Sequence, residues 1–230
     1  MRVISVCLLF FAVIFLLMTS VVSAREEYNF PSFSDGQVNE ALEKTVPLRF
    51  LPSNPLFYLI LVKENVTRFF KPSALERARF DLVVSGKRLK ESYLILEKGD
   101  VKNANRALTR YDARLKTMRQ ELEKAERQNQ DVIALVDETA ETLRFHEIFL
   151  SAISKKSEAI GNDSKFDSIF SGAVEGFFET VRVIDGFKAG LKDRFKSLNT
   201  NEKRDKEILP SPTPSPVIAT PSARPRRIIY

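Results

Sequence analysis

The chain has 230 residues, a formal net charge of +6, 18 phenylalanines and no tryptophan. Its only cysteine is Cys7 and its only histidine is His146. Downstream of Cys7 no disulfide and no cysteine-based metal site can form, and one histidine cannot supply the two that a di-iron bundle requires. The positive charge favours anionic neighbours such as a membrane surface or a wall polymer.

The first 24 residues have the pattern of an export signal. A basic start precedes an apolar run from Val3 to Val22, and Ser23 and Ala24 follow as small residues. The pattern predicts a signal peptide over residues 1–24. The apolar run is also about as long as a bilayer-spanning helix requires, so an uncleaved membrane anchor stays open. Either outcome predicts that the body works outside the cytoplasm, which argues against a nucleic-acid partner.

Residues 25–50 mix polar and aromatic side chains with prolines and a glycine. We interpret them as an extended linker to the folded domain, with a short helix near Gln37–Lys44.

The folded domain is predicted to begin in the segment Leu51-Pro52-Ser53-Asn54-Pro55. Asn54 can cap a helix, Pro55 suits the first helical position, and Pro72 ends the helix near Phe70. This first helix has one apolar face, formed by Leu56, Leu59, Ile60, Lys63, Val66, Phe69 and Phe70.

A helical hairpin follows. Ser73 and Glu76 form a capping box, Gly99 supplies a left-handed stop, and Asp100 caps the next helix. Apolar residues repeat at heptad positions in both helices: Leu75, Ala78, Leu82, Leu89, Tyr93 and Leu96, then Val101, Ala104, Leu108, Tyr111, Leu115, Met118, Leu122 and Ala125. Two amphipathic helices joined by so short a turn must pack antiparallel.

No glycine or proline occurs between residues 100 and 160, so one long helix is possible there. The polar stretch 128–131 favours a break, with a fourth helix from Val132 to about Glu158. A last helix is predicted over about Ser164–Leu198, with one apolar face made by Phe166, Phe170, Phe177, Val181, Ile184, Leu191 and Phe195.

Four glycines form a second predicted stripe on that last helix: Gly172, Gly176, Gly186 and Gly190. Small residues on one stripe allow another backbone to approach closely. Two interpretations stay open, namely packing against a neighbouring helix of the same chain and a groove for a partner helix.

Prolines alternate with serine, threonine and alanine near the end of the chain. This composition predicts a disordered Pro/Ser/Thr-rich tail over residues 199–230. The predicted fold class is therefore all-α, an antiparallel helical bundle of four to five helices over residues 51–198.

A row of cations marks the outer face of the third helix. Lys102, Arg106, Arg110 and Arg114 are spaced four apart, opposite Leu108. Like charges at this spacing repel one another by a few tenths of a kcal/mol per pair. The row is interpreted either as a solvated face or as a contact surface for an anionic membrane, wall polymer or acidic protein.

No catalytic, cofactor or metal site is predicted. His146 lies among Phe145, Ile148 and Phe149, and we interpret it as a structural or partly buried residue. The sequence contains neither a Gly-x-Ser-x-Gly nucleophile motif nor a phosphate loop.

Three stretches resemble one family of exported bacterial and archaeal helical proteins, the domain-of-unknown-function family 5667. The first is Leu51-Pro52-Ser53-Asn54-Pro55-Leu56-Phe57-Tyr58 with the helix from Ala74. The second is Glu97-Lys98-Gly99-Asp100, which leads to Ala107-Leu108 and Tyr111. The third is Leu143-Arg144-Phe145-His146-Glu147-Ile148-Phe149-Leu150. The resemblance covers roughly residues 51–171 and implies export and a helical fold. Because the family has no assigned activity, the resemblance implies no catalytic residue.

The sequence thus predicts an exported, non-enzymatic binding or structural module of the cell envelope, whose partner is a protein or an anionic envelope component. A membrane-anchored extracytoplasmic sensor or regulator is the alternative if the N-terminal segment is retained. An enzyme without a recognisable site is the third.

Overall fold

The structure is a computed structural model that describes residues 28–48, 50–52, 54–159 and 163–208, with residues 203–208 described by their backbone alone. Over these ranges the chain is all-helical and contains no strand. Its seven α-helices are α1 (Asp35–Lys44), α2 (Phe57–Phe69), α3 (Ala74–Glu97), α4 (Val101–Arg127), α5 (Ile133–Glu158), α6 (Ser164–Phe187) and α7 (Lys196–Ile208). None of them is both long and apolar enough to cross a bilayer. The predicted signal peptide or anchor over residues 1–24 lies outside the described ranges.

The α3–α4 hairpin forms the centre of the bundle, as predicted. The Ser73 side chain accepts a hydrogen bond from the Glu76 amide, and the Asp100 side chain accepts one from the Asn103 amide. Gly99 has a φ of 75°, which a glycine adopts without strain, and so permits the tight turn. The heptad residues of α4 that are fully buried are Ala104, Leu108, Tyr111, Leu115, Met118, Leu122 and Ala125.

Helices α5 and α6 complete a four-helix bundle. Helix α5 packs on α3, α6 packs on α4, and α5 contacts α6. The predicted break after α4 is confirmed, because Asn129 has a φ of 55° and ends the helix there. Two helices therefore span residues 101–158.

The last helix, predicted over about Ser164–Leu198, is wrong only beyond Phe187. Helix α6 ends at Phe187, Gly190 has a φ of 88°, and a short 3₁₀ turn follows. Leu191 and Phe195 are still buried, but they reach the core from this turn. The spacing of Leu191 and Phe195 fits a continuous helix because the 3₁₀ turn directs both side chains into the same core that α6 faces.

The predicted tail is helical at its start. Residues 199–208 belong to α7, whose first turn is held by Glu147 of α5. The Glu147 carboxylate accepts hydrogen bonds from the Ser197 amide at 2.8 Å and from the Ser197 hydroxyl at 2.6 Å. The remainder of the tail, from residue 209, lies outside the described residues.

The segment interpreted as a linker is packed on the bundle over residues 28–48. The short helix predicted there is confirmed and begins at Asp35, where a capping box forms. Val38 and Ala41 are buried. The ammonium of Lys90, on α3, donates a 2.5 Å hydrogen bond to the Leu42 carbonyl and so satisfies an acceptor at the end of α1. The extended-linker interpretation is therefore wrong here.

The heptad core can be tested by truncation. We expect Leu108→Ala and Leu115→Ala each to lower the free energy of unfolding by about 2–5 kcal/mol, because both side chains are fully buried. Urea denaturation of the full chain measures the change. Leu59→Ala on exposed α2 is the control and should cost less than about 0.5 kcal/mol. Wild-type stability in both core variants would contradict the register.

Candidate functional site

Helix α2 lies on the bundle with its polar side inward. The predicted apolar face exists but points into solvent, whereas the apolar face of a bundle helix ordinarily meets the core. Six side chains that are 50–81% exposed form what we call the outward face: Tyr58, Leu59, Val62, Val66, Phe69 and Phe70. At about 100° per residue they span an arc of about 120°.

A first ion cluster fixes the C-terminal half of α2. The Arg68 guanidinium donates to Asp81 of α3 at 2.8 Å and to Glu121 of α4 at 3.0 Å. Asp81 is fully buried and also accepts from Arg114 of α4 at 2.9 Å. Burial acts to lower the pKa of Arg68, but the hydrogen bonds and charges of Asp81 and Glu121 raise it above its ordinary value. Arg68 therefore stays charged.

A second ion cluster fixes the middle of α2. Glu64 is buried and accepts from Arg88 and, at 2.6 Å, from Lys87, both on α3. Arg88 also donates to the buried carboxylate of Glu91 at 2.6 Å. Burial raises the pKa of Glu91, although the neighbouring cations oppose this. The middle of α2 is joined in this way to α3 by charges that are mostly removed from water.

An aromatic anchor fixes the start of α2. Phe57 is the buried apolar side chain of this helix. The guanidinium carbons of Arg88 and Arg110 lie 5.2 Å and 5.4 Å from the centre of its ring. Cations over an aromatic face attract it electrostatically. This contact adds an apolar interaction to the two ion clusters.

These contacts determine the orientation of α2. Rotating the helix to bury the outward face would take Glu64 and Arg68 away from the bundle and leave Asp81 and Arg88 short of partners. Removing one partner of a buried ion pair typically costs about 3–5 kcal/mol. The outward face is thus exposed because the charges beneath α2 require it.

The predicted cationic row is wrong as a single free surface. Arg114 is paired with Asp81, and Arg110 lies against Phe57, where burial lowers the pKa of its guanidinium. The sequence could not show that α2 covers this side of α4. Lys102 and Arg106 remain exposed, and they line a cleft of about 490 Å³ beside the start of α6.

The predicted glycine stripe is closely packed at only one of its four positions. Gly172 and Gly186 are exposed, with nothing within 4 Å of an added Cβ, and Gly190 lies beyond the end of α6. At Gly176 alone a neighbour approaches closely, because the Asp112 side chain of α4 lies against it. The four glycines therefore form no groove for a partner helix, and the packing interpretation holds at Gly176.

His146 is a core residue. It is fully buried, and its Nδ1 lies 3.4 Å from the Tyr111 hydroxyl oxygen. Its Nε2 has no hydrogen-bond partner among the described residues, and a Cβ at position 86 would lie 2.8 Å from it. Gly86 thus makes room for the ring. Burial lowers the pKa of His146 to about 3, so the imidazole is neutral.

Comparison with known proteins provides no relative. No family model matches the chain, and neither a curated protein nor a solved structure does. The resemblance to family 5667 therefore has no support from these comparisons. Within the described ranges, no group of three or more His, Cys, Asp and Glu side chains is arranged to hold a metal ion.

The buried carboxylate beneath α2 can be tested by neutralisation. Asp81→Asn should lower the free energy of unfolding by about 3 kcal/mol, because Arg68 and Arg114 lose a buried counter-charge. Limited trypsin digestion should also cut faster after Lys63 on the loosened α2. The control is Glu138→Gln, which breaks a half-exposed pair with Arg79 and should cost less than about 1 kcal/mol. Equal effects of the two substitutions would contradict the ion-cluster account.

The buried histidine makes stability depend on pH. The pKa of His146 is about 3 in the folded chain and roughly 6.5 in the unfolded chain. Between these two pH values only the unfolded state binds a proton at the imidazole. Stability should therefore fall as the pH falls below about 6.5, by up to about 1.4 kcal/mol per unit. His146→Gln removes this contribution while the carboxylates stay the same. Identical slopes of unfolding free energy against pH in both proteins would contradict a buried neutral histidine.

Proposed function

We propose that the protein is an exported, non-enzymatic helical module of the cell envelope that binds an envelope component through the outward face of α2. The observation that carries the proposal is an apolar helix face directed into solvent by buried ion pairs beneath it. Contiguous exposed apolar surface on a folded domain marks interaction sites.

The energetics support a binding role for this face. Burying a side chain such as leucine or phenylalanine is worth about 1.5–3 kcal/mol, and the outward face forgoes this for several residues at once. The apolar and polar sides of α2 are well separated, so a rotated helix could have buried the apolar side. Glu64 and Arg68 instead meet charges that are fully or nearly fully buried in α3.

The N-terminal pattern supports an envelope location for the partner. A hydrophobic run followed by Ser23 and Ala24 is typical of export. His146, enclosed in the core, has no access to a substrate in solution, which supports a non-enzymatic role.

A membrane-anchored regulator is the second candidate, favoured by the length of the run from Val3 to Val22. The mass of the native N-terminus separates the two candidates. A start at Arg25 supports the cleaved module, and a start at Met1 supports the anchored protein.

Chemical footprinting tests the binding face whether or not the N-terminal segment is removed. Lys63 is exposed beside the outward face, and Lys116 is exposed on α4. In isolated envelopes an amine-modifying reagent should label Lys63 several-fold less than in the purified full chain, because the partner covers it. The labelling of Lys116 should stay the same.

A matched pair of substitutions completes this test. Phe69→Glu should restore the labelling of Lys63 in envelopes, since it places a charge in the outward face. Ile133→Glu, at an exposed position on α5, should leave the protection intact. Unprotected Lys63 in wild-type envelopes would overturn the proposed function.

A further inference from the structure

We propose that the partner of the outward face is the surface of an anionic lipid bilayer, with α2 lying in the plane of the membrane interface. This inference rests on the proposed function and names the occupant of the same face.

The charge on α2 complements anionic headgroups. Its only acidic residue is Glu64, which is buried and paired with Arg88 and Lys87. Lys63 is exposed on α2 at the edge of the outward face, and Lys71, which is partly exposed, follows directly after the end of α2. The surface is therefore apolar and cationic, and basic residues near an anionic bilayer are attracted to it.

The shape of the face fits a bilayer interface. Apolar side chains cover the whole length of α2, from Tyr58 at its start to Phe69 and Phe70 at its end. The rings of this last pair are 5.4 Å apart at their centres and perpendicular, with both rings mostly in water. Interfacial helices bury such aromatic and aliphatic side chains at the boundary of headgroups and acyl chains. A coiled-coil partner would contact only a narrow apolar seam, so the width of the outward face favours a bilayer over a single partner helix.

A second copy of the chain is disfavoured by the same charges. In a two-fold contact the same patch meets itself, so Lys63 of each copy would face a surface without an exposed acid on α2. Like charges brought together in an interface oppose association. An anionic bilayer supplies the missing counter-charge.

Lipid contact can be read from a fluorescent label on α2. The full chain carries Cys7→Ser, and Val62→Cys is modified with pyrene maleimide. Vesicles contain phosphatidylglycerol and lipids with brominated acyl chains, which quench a fluorophore that reaches them. The control label is at Gly172→Cys, an exposed helical position with open space around an added Cβ.

The inference predicts at least about threefold stronger quenching at position 62 than at position 172, because only α2 enters the interface. Replacing phosphatidylglycerol by phosphatidylcholine should weaken the quenching at position 62, as should high salt. Lys63→Gln combined with Lys71→Gln should lower partitioning into the anionic vesicles by about tenfold or more.

Three results would overturn the lipid assignment. The first is equal quenching at the two label positions. The second is pyrene excimer emission at position 62 without quenching, which would identify a second copy. The third is protection of Lys63 from labelling in native envelopes combined with no quenching of the position-62 label in vesicles. This result would support the proposed binding function but identify the partner as a protein. Failure of the proposed function is read separately, from an unprotected Lys63.

Discussion

The buried carboxylates of Asp81 and Glu64 determine how α2 is oriented. Hydrophobic attraction is non-directional, and by itself it would turn the apolar side of α2 toward the bundle. Ion pairs depend on which groups meet. Here Arg68 of α2 pairs with Asp81 of α3 and Glu121 of α4, and Glu64 of α2 pairs with Arg88 of α3. Because a buried charge without its partner is costly, the charged side of the helix is the side that faces inward. The exposed apolar surface follows from this constraint.

The residues that stabilise the fold and the proposed binding face lie in different parts of the chain. The four helices α3–α6 bury heptad and phenylalanine side chains, including Leu108, Leu115, Phe149 and Phe177. Helix α2 buries little apolar surface beyond Phe57, and few of its residues lie close to the backbone of α3. Elements with few buried apolar contacts open at low free energy. A surface on α2 can therefore meet a partner without disturbing the core.

The sequence predicts what depends on local pattern and misses what depends on which helices meet. The α3–α4 hairpin could be predicted from the sequence because its caps, its Gly99 turn and its heptads all lie close together in the chain. Asp81, Arg88 and Glu91 looked like ordinary charged helix residues, since nothing local shows that α2 covers them. The one available signal was within α2 itself, where Glu64 lies four residues before Arg68 on the side opposite the apolar stripe.

Two layers of charge surround α2, and salt should act on them differently. The pairs beneath the helix include Asp81 and Glu91, which are fully buried, and buried pairs are screened little. Lys63 is exposed beside the outward face, where the Debye length is about 8 Å at physiological ionic strength and attraction to headgroups is screened. Raising the salt concentration should thus weaken the attachment of α2 to a membrane before it weakens its attachment to the bundle. On the proposed membrane contact, the inner layer would hold the helix in place and the outer layer would adjust binding, so that the protein could leave the surface while remaining folded.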